Sequence, residues 1–163
     1  MKQWALTHRP SLVDRPFEMK AVLQRVSEAR VSVAGEIVGA IDAGLLVLVC
    51  AEPDDTPDKA AFFARKIAAM RIFADDGGKM NLCVRDIGGA VLAVSQFTLA
   101  AEWRKGNRPG FSRAADPAHG EAIYEVFCTS LRDEGVAVET GRFGASMEVA
   151  LINDGPVTMI MDD

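Results

Sequence analysis

Residues 95–98 read Ser95-Gln96-Phe97-Thr98 and combine two hydroxyls and an amide within four positions. With the backbone N–H groups of the same segment, they could polarise a carbonyl in the manner of an oxyanion hole. No general base lies nearby in the sequence, so Thr98 could act as a nucleophile only if some other group took its proton. A hydroxyl that orients a substrate is chemically easier. The structural alternative is a strand end whose hydroxyls satisfy backbone groups.

Residues 153–158 read NDGPVT and lie between two apolar runs near the C-terminus. A turn sequence between two strand-like runs predicts a hairpin or another tight reversal. Pro156 is unexpected there, because proline lacks a backbone donor and is unfavourable at the start of a central strand. An X-Pro bond, such as the one between Gly155 and Pro156, is also the type of peptide bond that adopts cis at small cost.

A basic and aromatic segment spans residues 102–113. It carries four cationic side chains against one acid, with Trp103 and Phe111 interleaved. Such a loop could contact a phosphate and stack on a base. Considered alone, the segment is better explained as a solvated surface loop.

The composition limits the possible chemistry. The two histidines are His8 and His119, so an imidazole-based metal site or nucleophile system would depend on one of them. The three cysteines are widely separated and fit neither a zinc pattern nor a disulfide framework, which favours a reducing cytoplasm. A net charge of −5 argues against broad coating of a nucleic-acid backbone. The longest apolar run, residues 45–51, is too short to span a membrane.

The 163 residues predict a single domain. Two apolar runs, residues 45–49 and 90–94, are typical of strands buried on both faces. The second run leads directly into residues 95–98, which places this polar segment at the C-terminal end of a central strand. Open α/β folds usually bind their ligands at that position.

Two helices should flank these strands, because Thr56-Pro57 and Asp116-Pro117 each combine an N-cap with a proline at the first helical position. Spacings of three and four residues predict their buried stripes. The stripes comprise Phe62, Phe63, Ile67, Met70 and Phe73 in the first helix, and Ile123, Phe127 and Ser130 or Leu131 in the second. The first helix is expected to end at residues 75–78 and the second at Gly135. Further strands are expected at residues 21–26, 30–33, 37–41, 136–140, 147–152 and 157–161.

Residues 1–18 differ from the rest, because their prolines, arginines and tryptophan show no helical or strand period. The segment lacks the continuous apolar core of a secretory signal, and its acids argue against a transit peptide. We interpret it as an N-terminal extension, with Met19 as an alternative start, and place the folded domain at residues 19–163.

Residues 94–99, VSQFTL, and residues 153–158, NDGPVT, together resemble the signature segments of the D-aminoacyl-tRNA deacylases, also called D-tyrosyl-tRNA deacylases. The resemblance extends from about Met19 to the C-terminus. It includes the segments LQRVSEARVSV, GLLVLV, RIFADDGGKMNL, NRPGFSRAADP and TGRFGASM.

The resemblance implies a single α/β domain with mixed β layers and two packed helices, in a three-layer α/β/β arrangement. Enzymes of this family are soluble cytoplasmic homodimers that hydrolyse the ester joining a D-amino acid to the 3′ end of tRNA. Their sites lie at the subunit interface. The expected partners are therefore aminoacyl-tRNA and a second copy of the chain, without membrane, DNA, metal or organic cofactor.

The resemblance also implies the site residues. Thr98 and Phe97 would be catalytic, and the substrate-binding set would comprise Ser95, Gln96, Asn153, Gly155 and Pro156. Gly155-Pro156 matches a Gly-cisPro element that reaches into the partner's pocket and excludes L-amino acids. Arg25 and Met147 would support that element.

Exclusion by rigid backbone needs no dedicated side chain and would let glycine pass. We hypothesise that the terminal 2′-hydroxyl of tRNA assists attack by water while backbone donors near Phe97 and Thr98 hold the oxyanion. Thr98 as covalent nucleophile is the competing mechanism. Two other functions stay open: a deacylase tuned to glycine or a small L-amino acid, which a trans Gly155-Pro156 bond would favour, and a non-catalytic dimer that binds RNA ends or nucleotides.

Overall fold

The computed structural model describes residues 18–163. The strands are β1 (Lys20–Val33), β2 (Glu36–Ile41), β3 (Gly44–Cys50), β4 (Phe73–Ala74), β5 (Met80–Leu82), β6 (Ala90–Ser95), β7 (Ala137–Thr140) and β8 (Glu148–Asp162). The helices are α1 (Pro57–Ala69), a short 3-10 helix (Phe97–Ala100) and α2 (Pro117–Asp133).

Strand β1 organises the sheet because it pairs antiparallel with three other strands. Its first half pairs with β3 and its second half with β2, while β8 pairs along nearly its whole length. Strands β3, β6 and β7 are parallel neighbours, so the sheet order is β2-β1-β3-β6-β7 with β8 beside β1. Strands β4 and β5 form a separate small sheet.

Alternate residues of the central strands enter two different cores, as the period of a strand requires. Leu45 and Val47 of β3 pack in the core beneath both helices, with Phe63 and Phe127 among its members. Leu46 packs in a second core on the opposite face, which β1, β2, β6 and β8 complete. The predicted α/β domain, with two helices packed on β layers, is confirmed.

Both predicted helix starts are confirmed, since the side chains of Thr56 and Asp116 accept from backbone N–H groups in the first turn. Helix α1 nevertheless ends at Ala69, earlier than expected. Met70 is the C-cap with extended backbone, so Phe73 lies in β4 and not on the helix. Residues 75–78 form the turn between β4 and β5 and do not end α1.

The prediction of a reversal at residues 153–158 is wrong. Strand β8 continues through this segment and pairs with β1 on both sides, with Ile152 opposite Glu28 and Thr158 opposite Gln24. Four β8 residues, 154–157, lie opposite the single residue Arg25. The turn-forming sequence therefore makes a large bulge within one strand instead of joining two strands. Likewise, the two strands predicted at residues 21–26 and 30–33 are one strand, because β8 pairs with both.

The predicted N-terminal extension lies outside the described residues except for Glu18. The backbone N–H of Glu18 donates to Glu52 Oε2 at 3.0 Å. No helix within residues 18–163 is long and apolar enough to cross a membrane.

Candidate active site

The segment 95–98 leaves the sheet at the C-terminal end of β6, as predicted. The backbone N–H of Gln96 donates to Val49 O at 2.8 Å, and the chain then turns into the 3-10 helix. The Gln96 amide donates to Thr98 Oγ1 at 2.5 Å, and Thr98 is exposed. Because an amide is not a base, this hydrogen bond does not activate the Thr98 hydroxyl as a nucleophile.

A cavity of about 540 Å³ opens beside this segment. Four of the predicted site residues, Ser95, Gln96, Phe97 and Met147, form part of its wall. Most of the remaining wall is apolar, and it comprises Val94, Phe111, Ala114, Ala115, Pro117, Phe143, Gly144, Ala145 and Val149. A cavity with apolar walls and a few polar groups at one end is typical of a small-molecule site.

Three aromatic rings lie at the wall of this cavity. Phe97 is 56% exposed and packs edge-on against Phe111, with ring centroids 5.2 Å apart. Phe143, from the TGRFGASM segment, also lines the cavity. Phe143 was not among the predicted site residues, and Phe111 was predicted only as an aromatic of the basic segment, although both lie in segments that carry the resemblance.

The β8 bulge presents the second signature segment to solvent. Gly155 and Pro156 are exposed, and the peptide bond between them is cis, as predicted. Within the bulge, Asn153 Oδ1 accepts from Val157 N at 3.1 Å, and its Nδ2 donates to Thr158 Oγ1 at 2.8 Å. The Asn153 amide therefore closes the bulge on itself.

Arg25 connects the bulge to the body of the protein. Its Nε donates to Asp154 O at 2.9 Å and its Nη1 to Ile72 O at 2.8 Å. A Cβ placed on Gly155 would lie 3.1 Å from Arg25 Nη2, so the guanidinium packs directly against this glycine. Arg25 is thus in a position to hold the bulge in place.

The predicted site residues form two groups within one chain. Met147 belongs with the cavity, where its sulfur accepts from Arg142 N at 3.4 Å. The cavity wall includes neither Thr98 nor any of the bulge residues nor Arg25. A single copy of the chain therefore does not bring the Gly155-Pro156 element into its own cavity wall.

Comparison with known proteins gives the same family as the resemblance of the two signature segments. The model of the D-Tyr-tRNA(Tyr) deacylase family matches residues 22–162, which is most of the chain. The chain belongs to this family. The predicted family and enzyme class, a hydrolase acting on aminoacyl-tRNA, are thereby confirmed.

Individual family members and solved structures support the assignment. A D-aminoacyl-tRNA deacylase of Ruegeria pomeroyi is 62% identical over 144 residues, which cover 88% of this chain and 99% of the relative. The solved structure of a c-Myc DNA unwinding element binding protein is 39% identical, with a TM-score of 0.82 over 88% of this chain and 98% of that one. A probable eukaryotic D-amino acid tRNA deacylase has the same fold, with a TM-score of 0.80 at 18% identity, covering 90% and 100% of the two chains.

A buried polar cluster lies at the start of β1 in this family member. Glu52 is fully buried and pairs with Lys20 and, at 3.5 Å, with Arg113. Asp55 accepts from the backbone N–H groups of Met19 and Glu52, while its burial raises the pKa of its carboxyl. The cluster joins the start of β1, the end of β3 and the segment that precedes α2. It therefore links three segments that are distant in the sequence.

Cys50 contacts the 3-10 helix directly, since its Sγ lies 3.6 Å from Phe97 O. Burial, followed by the nearby Glu52 carboxylate, raises the pKa of this thiol to about 11. Cys50 is therefore a neutral thiol near pH 7 and is unsuited to nucleophilic attack. Within residues 18–163, no group of three or more histidine, cysteine or acidic side chains is arranged to hold a metal ion.

Proposed function

We propose that this protein hydrolyses the ester between a D-amino acid and the 3′ end of tRNA, releasing free amino acid and tRNA. The cavity at the end of β6 carries the proposal, because it combines apolar walls with the polar Ser95-Gln96 edge. Such a cavity suits the apolar parts of an aminoacyl-nucleoside, with polar groups beside the ester. The names of the relatives support the same substrate class.

The proposed chemistry uses backbone donors and no protein nucleophile. The first N–H groups of the 3-10 helix, near Phe97 and Thr98, have no acceptor within the helix and can hold the oxyanion of a tetrahedral intermediate. The terminal 2′-hydroxyl of tRNA assists attack by water. Gln96, which lines the cavity and donates a hydrogen bond to Thr98 Oγ1, orients the substrate.

Chirality would be enforced by the bulge of a second copy of the chain. Gly155 and Pro156 are exposed in one copy and lie apart from its cavity wall, which supports their insertion into the cavity of a partner in a homodimer. Backbone placed on one side of the substrate Cα would exclude an L side chain, whereas glycine would pass. Asn153 and Arg25 would hold the inserted bulge, and Met147 would support the cavity that receives it.

Hydrolysis of D-tyrosyl-, L-tyrosyl- and glycyl-tRNA by the purified protein tests the proposal. Release of D-tyrosine and glycine, with little L-tyrosine, is expected. Comparable rates for the D- and L-esters would refute the chirality argument.

Two further experiments test the mechanism, one with a protein variant and one with a modified substrate. We expect Thr98→Ala to keep near-wild-type turnover. This result would exclude Thr98 as a covalent nucleophile. Normal hydrolysis of a substrate with a 2′-deoxy terminal adenosine would exclude assistance by the 2′-hydroxyl.

The site of action would be the cytoplasm, where aminoacyl-tRNA is used.

Binding of nucleic acid without catalysis is the second candidate function. It is favoured by the basic loop at residues 102–113 and by the structural likeness to a protein named for DNA binding. Binding of tRNA with no release of D-tyrosine from D-tyrosyl-tRNA would support it over the deacylase.

A further inference from the structure

The basic segment forms a closed loop whose two ends are hydrogen-bonded. Glu102 N donates to Gly110 O at 2.8 Å, and Gly110 N donates to Glu102 O at 2.9 Å. Residues 103–109 project between these two bonds. The loop is therefore held at its base by backbone pairing and presents its side chains outward.

The loop is positive in a protein that is negative overall. Residues 103–109 contain three cations and no acid, whereas the chain carries a net charge of −5. Arg104 makes a long ion pair, 3.9 Å, with Glu102. Within residues 18–163, neither Lys105 nor Arg108 has an ion-pair partner. Exposed cations without partners are available to an anionic ligand.

Trp103 adds an aromatic surface at the start of the loop. It is 64% exposed, and the guanidinium of Arg104 lies 4.5 Å from the centre of its ring. At this exposure, part of the indole stays accessible to a ligand beside the guanidinium. An aromatic ring beside cations is the arrangement on which single-stranded nucleic acids stack their bases.

The loop also begins and ends beside the candidate active site. It follows the 3-10 helix after Ala101 and returns through Phe111, which packs against Phe97 at the cavity. A polynucleotide whose last nucleoside occupied the cavity would continue past this loop.

We propose that residues 103–109 clamp the single-stranded nucleotides that precede the esterified nucleoside of the substrate. Trp103 stacks on one of their bases, and Lys105 and Arg108 bind their phosphates. This inference rests on the proposed function and adds the part of the substrate that the cavity is too small to hold. The loop then provides specificity for the polynucleotide, while the cavity binds the esterified nucleoside.

A series of D-tyrosyl esters of increasing length tests the clamp: the adenosine ester, the trinucleotide CCA ester and the full tRNA. For each protein, the readout is the ratio of kcat/KM on the CCA ester to kcat/KM on the adenosine ester. In K105A/R108A this ratio is expected to fall about 5- to 10-fold. The slope of log kcat/KM for the CCA ester against log salt should become shallower by about 1 to 2 units. W103A should lower the ratio by a similar factor without changing the salt slope, because stacking releases no counterions.

The control is R65A/K66A, which removes two exposed cations from α1, away from the cavity wall and the loop. It should keep the wild-type ratio. A wild-type ratio in K105A/R108A, or an equal fall in the control, would refute the clamp. A fall that appears only between the CCA ester and full tRNA would also refute it, because the contact would then lie elsewhere on tRNA. Wild-type protein that is inactive on all three esters would refute the proposed function together with the clamp.

Discussion

Replacing Arg25 by methionine is expected to lower the free energy of unfolding by about 2 to 3 kcal/mol and to weaken discrimination between D- and L-esters. Methionine keeps much of the apolar stem and removes the guanidinium. The guanidinium donates one hydrogen bond to Asp154 O in the bulge and one to Ile72 O, and methionine can make neither.

The magnitude follows from the surroundings of each contact. The bond to Ile72 O is partly buried, so its loss costs about 1.5 to 2 kcal/mol for a charged donor. The bond to Asp154 O is exposed, and water can replace it, so it contributes about 0.5 to 1 kcal/mol. The ion pair with Asp154 at 3.7 Å adds nothing, because that carboxylate is 61% exposed and solvent screens it.

Urea unfolding at a fixed protein concentration measures the stability, since any association between copies would change the apparent value. The ratio of the hydrolysis rates of D- and L-tyrosyl-tRNA measures the selectivity between the two esters. These rates are measured under conditions in which every variant is folded. Arg25→Lys can keep one of the two bonds and should lose about half as much stability. Arg30→Met on the same strand, where Arg30 is exposed, is the control. A loss below about 0.5 kcal/mol with an unchanged D/L ratio would refute the assignment of Arg25 as the support of the bulge.

Four further predictions concern the bulge and the buried thiols. Gly155→Ala should lower stability by about 1 to 3 kcal/mol, because φ is +138° and the new Cβ would lie 2.9 Å from Val157 N. Asn153→Ala should cost about 1 to 2 kcal/mol, because it removes two partly exposed hydrogen bonds. Cys50 and Cys128, whose pKa values burial raises to about 11, should react with a thiol reagent at pH 8 at least about 100-fold more slowly in the folded than in the unfolded protein. The pKa of each thiol is 9.0 in the unfolded chain and about 11 in the folded protein. Between these two pH values the unfolded thiol loses its proton and the folded one keeps it. The free energy of unfolding should therefore fall by about 1.4 kcal/mol per thiol for each pH unit.

Each of these predictions has a result that would contradict it. Wild-type stability of Gly155→Ala would show that the bulge relaxes around a side chain without cost. Asn153→Asp keeps the acceptor for Val157 N and should be less damaging than Asn153→Ala; the reverse order would contradict the hydrogen-bond argument. Labelling rates that are similar in the folded and unfolded protein would show that the thiols are accessible.

The sequence was most informative where structure depends on neighbouring residues. The Thr56 and Asp116 caps predicted the helix starts, because capping is a contact within one turn. The apolar runs at residues 45–49 and 90–94 predicted the central strands, and the polar residues after the second run predicted the position of the candidate site. The two signature segments predicted the family.

Contacts between distant residues decided the rest. Residues 153–158 carry every local signal of a reversal, yet they form a bulge, because β1 offers pairing partners on both sides of them. Phe73 follows the helical spacing but lies in β4, since the backbone leaves the helix at Met70. The cavity wall joins β6, β8 and the loops around Phe111 and Phe143, which no single stretch of sequence brings together. The sequence alone determined which residue types carry the chemistry; only the tertiary structure decided which of them meet, because strand pairing and packing join positions more than 100 residues apart.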